Sequence, residues 1–298
     1  MAIVLLVIGC FFVSSSAILV KLSVGIPSVV LAAYRLAFIC AMLLPYVLLK
    51  CRHEYKNLSK KILLLNALSG VIFAIHLITF FEAVRYSGVA EANILMCTEI
   101  IFIALYESFF KHHKISLLGW VCLCIAMVAA VFVITGKSTA VIGAQDNMAQ
   151  YMWGNFLALC AAFAAAVYTL IGRSVRKVLS TPSYTLNLYF VSLLVCLAVA
   201  LLQGEALFGY PRINIATAFG LALFCNLLGH NMYSLCLKHL KANFVGAMKL
   251  TAPVFGSILA FIIFKEVPSL QVVISSVVLL TSIAFYFWIE GKRKPAEK

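Results

Sequence analysis

Ten apolar runs, each close to the thickness of a lipid bilayer in length, are the feature that most constrains how this chain can fold. In helical form, about 20 residues cross roughly 30 Å of hydrocarbon. Helices pair their own backbone groups, as the hydrocarbon core requires. The sequence therefore predicts an all-α integral membrane protein with ten transmembrane helices, at about 3–23, 28–50, 62–84, 88–110, 115–136, 152–172, 183–203, 214–237, 242–265 and 268–289.

The distribution of charge gives the orientation of these helices. Charged residues make up only 11% of the 298 positions, whereas a soluble domain is about one quarter charged. The net charge of +13 would indicate a nucleic-acid partner in a soluble protein. Here, however, 16 of the 23 Lys and Arg residues lie in loops and the tail on one side of the predicted membrane, five lie on the other side, and two lie within helices. This bias follows the positive-inside rule, so we expect both termini in the cytoplasm, a cytoplasmic (inner) membrane location and no nucleic-acid partner.

The two halves of the sequence are similar to each other. A shift of 153 positions aligns "AVRYSGVAEANILMCTEIIF" at 83–102 with "CLKHLKANFVGAMKLTAPVF" at 236–255, and it brings Thr98 onto Thr251. Each half holds five helices, so the second is inverted relative to the first. Inverted repeats are typical of secondary transporters, which bind substrate near the midplane and alternate access around it. We divide the chain into a first repeat at 1–136, an outside linker at 137–151, a second repeat at 152–289 and a basic cytoplasmic tail at 290–298.

Two stretches carry a family resemblance. "LAAYRLAFICAML" at 31–43 resembles the second-helix pattern of EamA-type members of the drug/metabolite transporter superfamily, with an arginine among small and apolar residues. "LCLKHLKANFVGAMKLTAPVFGSILAFIIFKEVPSLQ" at 235–271 resembles the ninth-helix signature, with its proline, its phenylalanine-rich end and its Lys-Glu pair. The resemblance covers nearly the whole chain. It implies ten helices and carrier-type movement of small metabolites, often the export of amino acids.

Charged residues inside the predicted helices are candidates for a substrate site. A charge at mid-bilayer costs about 2.5–3.5 kcal/mol on insertion scales, so it usually faces a partner or a water-filled cavity. Lys249 lies within the ninth run, and Pro253 removes the helical bond to the carbonyl of that lysine. Glu99 lies at a similar predicted depth in the fourth run. We expect Glu99 and Lys249 to pair directly or to hold the two ends of a zwitterion, with Glu99 a candidate proton carrier and Pro253 a structural or gating residue.

Polar residues in the same runs are further candidates. His76 and His230 lie 154 positions apart, at equivalent places in the two halves. Asn93 and Thr251 are expected to complete a polar lining, although packing and interhelical hydrogen bonds explain such residues at least as well. Arg35 is the other cation within a helix, and the family match there implies a structural or gating role.

The sequence contains no pattern typical of a metal-binding site or of a catalytic nucleophile. The ten cysteines show neither CxxC nor Cys/His ligand spacing, and the histidines show no spacing that suits a nucleophile with its base. We therefore expect no metal, no cofactor and no catalytic residue.

These features together predict a secondary transporter that moves a small-molecule substrate, foremost an amino acid or related compound, across the lipid bilayer. One alternative is a carrier for uptake of a nucleoside-like metabolite such as S-adenosylmethionine, or for a nucleotide sugar. Alternatives of another class are a membrane-embedded enzyme and a non-transporting membrane assembly protein. Proton coupling or exchange, a homodimer and the direction of transport stay open at this stage.

Overall fold

The computed structural model describes residues 2–56, 58–110, 115–136, 148–230, 232, 236, 240 and 242–292. These residues form helices and no strand, and they include ten helical segments that are long and apolar enough to cross a membrane. The prediction of an all-α protein with ten transmembrane helices is confirmed. Within the predicted linker, residues 137–147 lie outside the described part of the chain, as do residues 293–298 of the predicted tail.

The first five membrane helices follow the predicted runs to within a few residues. Ser59 and Ser116 start two of them, because their hydroxyls accept the backbone N–H of Ile62 and Gly119 at 3.3 and 2.9 Å. The second helix continues beyond its α-helical part through a π-helical turn at Val47–Cys51 and a 3-10 turn at Arg52–Tyr55. The helices are α1 Ala2–Leu22, α2 Ser28–Tyr46, α3 Lys60–Tyr86, α4a Val89–Met96 with α4b Glu99–Phe110, and α5 Leu117–Thr135.

The second five helices repeat this order. Pro182 lies in the first turn of the seventh helix, where a missing N–H costs nothing. The eighth helix continues as a π-helical segment at Leu221–His230. The helices are α6 Met148–Val175, α7 Thr181–Leu202, α8 Arg212–Gly220, α9a Ala242–Lys249 with α9b Ala252–Phe264, and α10 Leu270–Lys292.

The helices pair as two related repeats should. α3 packs on α6, and the π-helical segment after α8 packs on α1. A two-fold axis that exchanges α1 with α6 and α3 with α8 converts each of these pairs into the other. α2 packs on α7 and α5 packs on α10, so these helices meet their own counterparts across the same axis. The central residues of the protein therefore come from both repeats.

Small residues allow the closest of these approaches. Gly154, Ala158, Ala161 and Ala165 lie buried along one face of α6, which packs against α3. A Cβ atom added to Gly154 would lie 2.7 Å from the backbone nitrogen of Ser87. Without a hydrophobic driving force in lipid, such close backbone packing is what holds membrane helices together.

Candidate functional site

Helices α4 and α9 are interrupted at equivalent positions. α4a ends at Met96 and α4b begins at Glu99. α9a ends at Lys249 and α9b begins at Ala252. The separations, 249 minus 96 and 252 minus 99, both equal the 153-residue shift that aligns the two halves of the sequence. The two interruptions are therefore the same structural feature, present once in each repeat.

The hydrogen bonds at the two interruptions are also the same. The backbone N–H groups of Thr98 and Thr251 each donate to the carbonyl three residues earlier at 3.0 Å. The two threonine hydroxyls donate to those same carbonyls, of Leu95 and Met248, at 2.7 Å. Bonds over three residues tighten an α-helix into a 3-10 turn. Each interruption is thus a tight turn that ends one half-helix and starts the next.

Pro253 has a different role from a simple kink. It lies in the first turn of α9b, the position at which proline is favoured because its missing N–H is not needed. The ninth membrane helix is therefore divided rather than bent. α4 is divided at the matching place with no proline, and this division was not predicted from the sequence.

Glu99 is the first residue of α4b and is half-buried. The positive end of a helix dipole favours a carboxylate at this position. The hydroxyl of Thr169, on α6, donates to Oε1 of Glu99 at 3.0 Å. The charges of Lys249 and Arg173 also act on this carboxylate. Glu99 thus lies where both repeats meet.

Lys249 is the last residue of α9a, and its side chain is exposed. The negative end of a helix dipole favours a cation there. Because its charge acts on Glu99, the two residues singled out in the sequence lie within electrostatic range of each other. They occupy opposite kinds of helix end, each matched to its own charge.

Arg35, on α2, is more buried than Glu99 and Lys249, with only 5% of its surface exposed. One terminal nitrogen donates to Oδ1 of Asn226, and the other lies 3.5 Å from the hydroxyl of Ser16. The guanidinium carbon is 5.8 Å from the ring centroid of Phe81. Arg35 therefore joins α1, α2, α3 and the π-helical segment after α8.

His76 and Tyr168 lie between the Arg35 and Glu99 regions. Nδ1 of His76 is 2.9 Å from the carbonyl of Ala161, and since a carbonyl only accepts, Nδ1 carries the proton. The His76 and Tyr168 rings are 5.6 Å apart. Tyr168 lies within electrostatic range of both Glu99 and Arg35. We call these side chains, from Lys249 and Glu99 to Arg35, the polar track.

The remaining predicted site residues lie around this track or outside the described side chains. Asn93 on α4a faces α9b, where its Nδ2 is the nearest atom to a Cβ added to Gly256. Thr251 forms the turn between α9a and α9b. His230 is the last residue of the π-helical segment, and its side chain lies outside the described part of the chain.

Comparison with models of protein families assigns the chain. The model of the EamA-like transporter family matches residues 1–135 and 152–288. The chain belongs to this family. The transporter is accordingly a multi-pass membrane protein with two repeats, and the resemblance read from its second and ninth helices is confirmed. Membership in a family of small-molecule transporters also agrees with the expectation that it is not an enzyme.

A solved structure supports the fold of the transporter. A crystal structure of another protein matches it with a TM-score of 0.67 over 97% of this chain and 96% of the other. The two sequences are 15% identical, so the likeness shows the fold alone. No curated protein matches the chain.

A largely buried ionic cluster at one end of the transporter was not predicted from the sequence. Lys21 at the end of α1 forms an ion pair with Glu266, which follows α9b and also accepts the backbone N–H of Val89 at 3.3 Å. Glu91, 1% exposed, accepts a 2.9 Å hydrogen bond from Tyr151. Neither Glu91 nor Glu266 was among the residues predicted from the sequence. No local pattern brings these residues together, because their partners are 60 to 245 positions away in the sequence.

An ion pair also links α4b and α6, between Glu107 and Arg173. It is more exposed than the Lys21–Glu266 pair: the side chains are 29% and 44% exposed, against 5% for Glu266 and 26% for Lys21. Exchange of the two repeats converts α1 and α9 into α6 and α4. The two ion pairs therefore connect equivalent helices of the two repeats. They lie at opposite ends of the transporter.

Proposed function

We propose that this transporter carries small zwitterionic metabolites, foremost amino acids and related compounds, by alternating access around the interrupted helices α4 and α9. The observation that supports it most is the charge at the two interruptions. The acid Glu99 starts α4b, and the base Lys249 ends α9a. When the two repeats are aligned, these two positions lie three residues apart. Interrupted helices in corresponding positions of two inverted repeats are the best structural pointer to a transport site.

The chemistry of the two helix ends suits a zwitterion. A substrate ammonium group finds a carboxylate at Glu99, and a substrate carboxylate finds an ammonium at Lys249. Helix ends also leave backbone groups without helical partners, which can bind polar substrate atoms. In the absence of substrate, Glu99 and Lys249 act on each other, so substrate competes with an interaction inside the protein.

The two related ion pairs support alternating access. Lys21–Glu266 fastens α1 to the segment after α9b at one end, and Glu107–Arg173 fastens α4b to α6 at the other. Rocking of one repeat against the other would break one of these ion pairs while its counterpart stays formed. In this mechanism the state described here, in which both pairs are formed, is closed at both ends.

The same proposal includes an orientation. Both termini face the cytoplasm, the membrane is the cytoplasmic membrane, and the repeats extend over 1–136 and 152–289 with an outside linker and a basic tail, as the charge bias of the loops favours. Glu99 would also carry a proton in exchange for substrate ammonium, since a carboxylate in this position can release and bind one.

A counterflow experiment tests the proposal. The purified transporter is reconstituted in liposomes and loaded in turn with unlabelled amino acids, S-adenosylmethionine and a nucleotide sugar, and uptake of the matching labelled compound is followed. We expect amino-acid exchange in the wild type and at least about a tenfold loss in Glu99→Gln and Lys249→Ala, since a tenfold change corresponds to about 1.4 kcal/mol. Glu205→Gln and Lys265→Ala, outside the helices, are the matched controls and should leave exchange unchanged.

The other outcomes separate the parts of this proposal. Unchanged exchange in both Glu99→Gln and Lys249→Ala would contradict the site while leaving transport intact. Exchange of S-adenosylmethionine or the nucleotide sugar alone would contradict the substrate class. No exchange of any compound by the wild type would contradict transport of these metabolites altogether.

A further inference from the structure

Arg35 is a buried cation whose partners include no carboxylate among the described residues. Its hydrogen-bond partners are Ser16 and Asn226, both neutral. The other buried charges in the described part of the chain are satisfied differently: Glu266 is paired with Lys21, and Glu91 accepts a hydrogen bond from Tyr151. A buried charge normally has a counter-charge, because its removal from water is costly. Arg35 departs from that rule.

The unused hydrogen-bonding groups around Arg35 are donors. Among the described residues, Nε of Arg35 has no hydrogen-bond partner, and neither has Nδ2 of its neighbour Asn226. Asn226 is as deeply buried as Arg35, with 4% of its surface exposed. A buried donor without an acceptor costs free energy. An anionic group that accepts from both donors would remove this cost and would also neutralise Arg35.

We propose that Arg35 and Asn226 form the receptor for the carboxylate of the transported substrate. This inference rests on the proposed function and assigns one end of its substrate. The planar guanidinium fork matches the two oxygens of a carboxylate, which it can bind with two parallel hydrogen bonds. Lys249, which is exposed, is then the contact made on entry, and Arg35 is the contact made when the substrate is enclosed.

The groups next to Arg35 define the rest of the ligand. Because Nδ1 of His76 donates to the carbonyl of Ala161, the neutral ring leaves Nε2 as an acceptor for a substrate N–H. The rings of Phe73, Phe80 and Tyr168 surround His76 at centroid distances of 5.6, 6.1 and 5.6 Å. His76 would accept a hydrogen bond from the substrate ammonium, the rings around it would contact an apolar side chain, and Arg35 with Asn226 would bind the carboxylate. These three groups together fit an α-amino acid with an apolar side chain.

Matched ligands test the carboxylate contact directly. L-phenylalanine and L-phenylalaninamide differ in the carboxylate and share their ammonium and ring. Binding of each is measured by competition against labelled L-phenylalanine on the full-length transporter in detergent, and L-leucine with L-leucinamide serves as a second pair. We expect the wild type to prefer each acid over its amide by about tenfold or more, as charge-assisted hydrogen bonds allow.

Variants of the receptor separate binding from folding. Arg35→Gln should bring the acid-to-amide preference close to one with little change in binding of the amide, and Arg35→Lys should retain part of it. Asn226→Asp places a carboxylate of the protein beside Arg35, so it should abolish binding of L-phenylalanine while maintaining or raising the melting temperature. Arg85→Gln is the control, because the Arg85 guanidinium donates to the carbonyl of Ser23 outside the polar track.

Each result has one meaning. An Arg35→Gln variant that keeps the wild-type preference would overturn the receptor while leaving amino-acid transport intact, as would an Asn226→Asp variant that binds L-phenylalanine normally. Should Arg35→Gln fail to fold, the Asn226→Asp result decides. A wild type that exchanges no amino acid would instead overturn the proposed function.

Discussion

Thr98 and Thr251 make the same hydrogen bond at the same place in two inverted repeats. Each hydroxyl donates at 2.7 Å to the carbonyl three residues earlier, in the turn that divides a membrane helix. Threonine hydroxyls within helices often bond to a preceding carbonyl and bend the helix. Here the bond coincides with a complete division, and the residue after each turn starts a new helix.

Replacement of either threonine by valine should weaken its turn. Valine keeps the shape and removes the hydroxyl, and a typical hydrogen bond contributes about 0.5–1.5 kcal/mol. We expect Thr98→Val and Thr251→Val each to lower the counterflow rate severalfold while the melting temperature changes little. Thr281→Val is the control, since Thr281 makes the same kind of bond, at 2.6 Å to Val277, on an exposed face of α10. Equal rates in all three variants would contradict a role for the two turns in transport.

A double-mutant cycle should detect the coupling of Glu99 and Lys249. Their charges act on each other, and residues that interact directly show non-additive effects of about 0.5–3 kcal/mol. We expect Glu99→Gln and Lys249→Gln to reduce substrate binding individually, and the double variant to bind more tightly than the sum of the two losses predicts. Glu99→Gln combined with Lys265→Gln should be additive, and additivity in both pairs would show that Lys249 does not act through Glu99.

The buried and exposed ion pairs should respond differently to the loss of one partner. Removal of one member of a buried pair typically costs about 3–5 kcal/mol, because the other charge stays buried without its partner. An exposed pair contributes about 0–1 kcal/mol. We therefore expect Glu266→Gln to lower the melting temperature clearly and Glu107→Gln to leave it nearly unchanged. Addition of Lys21→Met to Glu266→Gln should recover part of the loss; no recovery would mean that Glu266 acts mainly through the N–H of Val89.

The sequence predicted the helices better than their interruptions. Length and apolarity alone identify ten spans, because lipid accepts almost nothing else. Pro253 indicated a disturbance in α9, but in α4 nothing distinguishes Thr98 from a threonine inside an intact helix. The internal repeat was the missing signal: aligning Thr98 with Thr251 transfers the disturbance of one helix to the other.

That Arg35 and Lys249 lie in membrane helices was predictable, whereas their partners were not. Arg35 and Lys249 were recognised as cations within helices from their place in apolar runs. That Arg35 meets Asn226, 191 positions away, and has no carboxylate partner among the described residues depends on how helices from both repeats pack. The same holds for Lys21, Glu91 and Glu266, whose cluster forms only when α1, α4a, α6 and the end of α9b come together.

Close packing of α3 on α6 gives a prediction about stability. A Cβ atom at position 154 would lie 2.7 Å from two atoms of the preceding repeat, the backbone nitrogen of Ser87 and Cβ of Tyr86, so one of the two helices has to move. We expect Gly154→Ala to lower the melting temperature by several degrees and to lower the transport rate with it. Gly220→Ala is the matched control, because the nearest atom to its added Cβ is a flexible side-chain atom of Leu19 at 3.4 Å. Since α3 carries His76 and α6 carries Thr169 and Tyr168, loss of this packing should also weaken substrate binding, and a Gly154→Ala protein with normal stability and binding would show that the two helices can separate without cost.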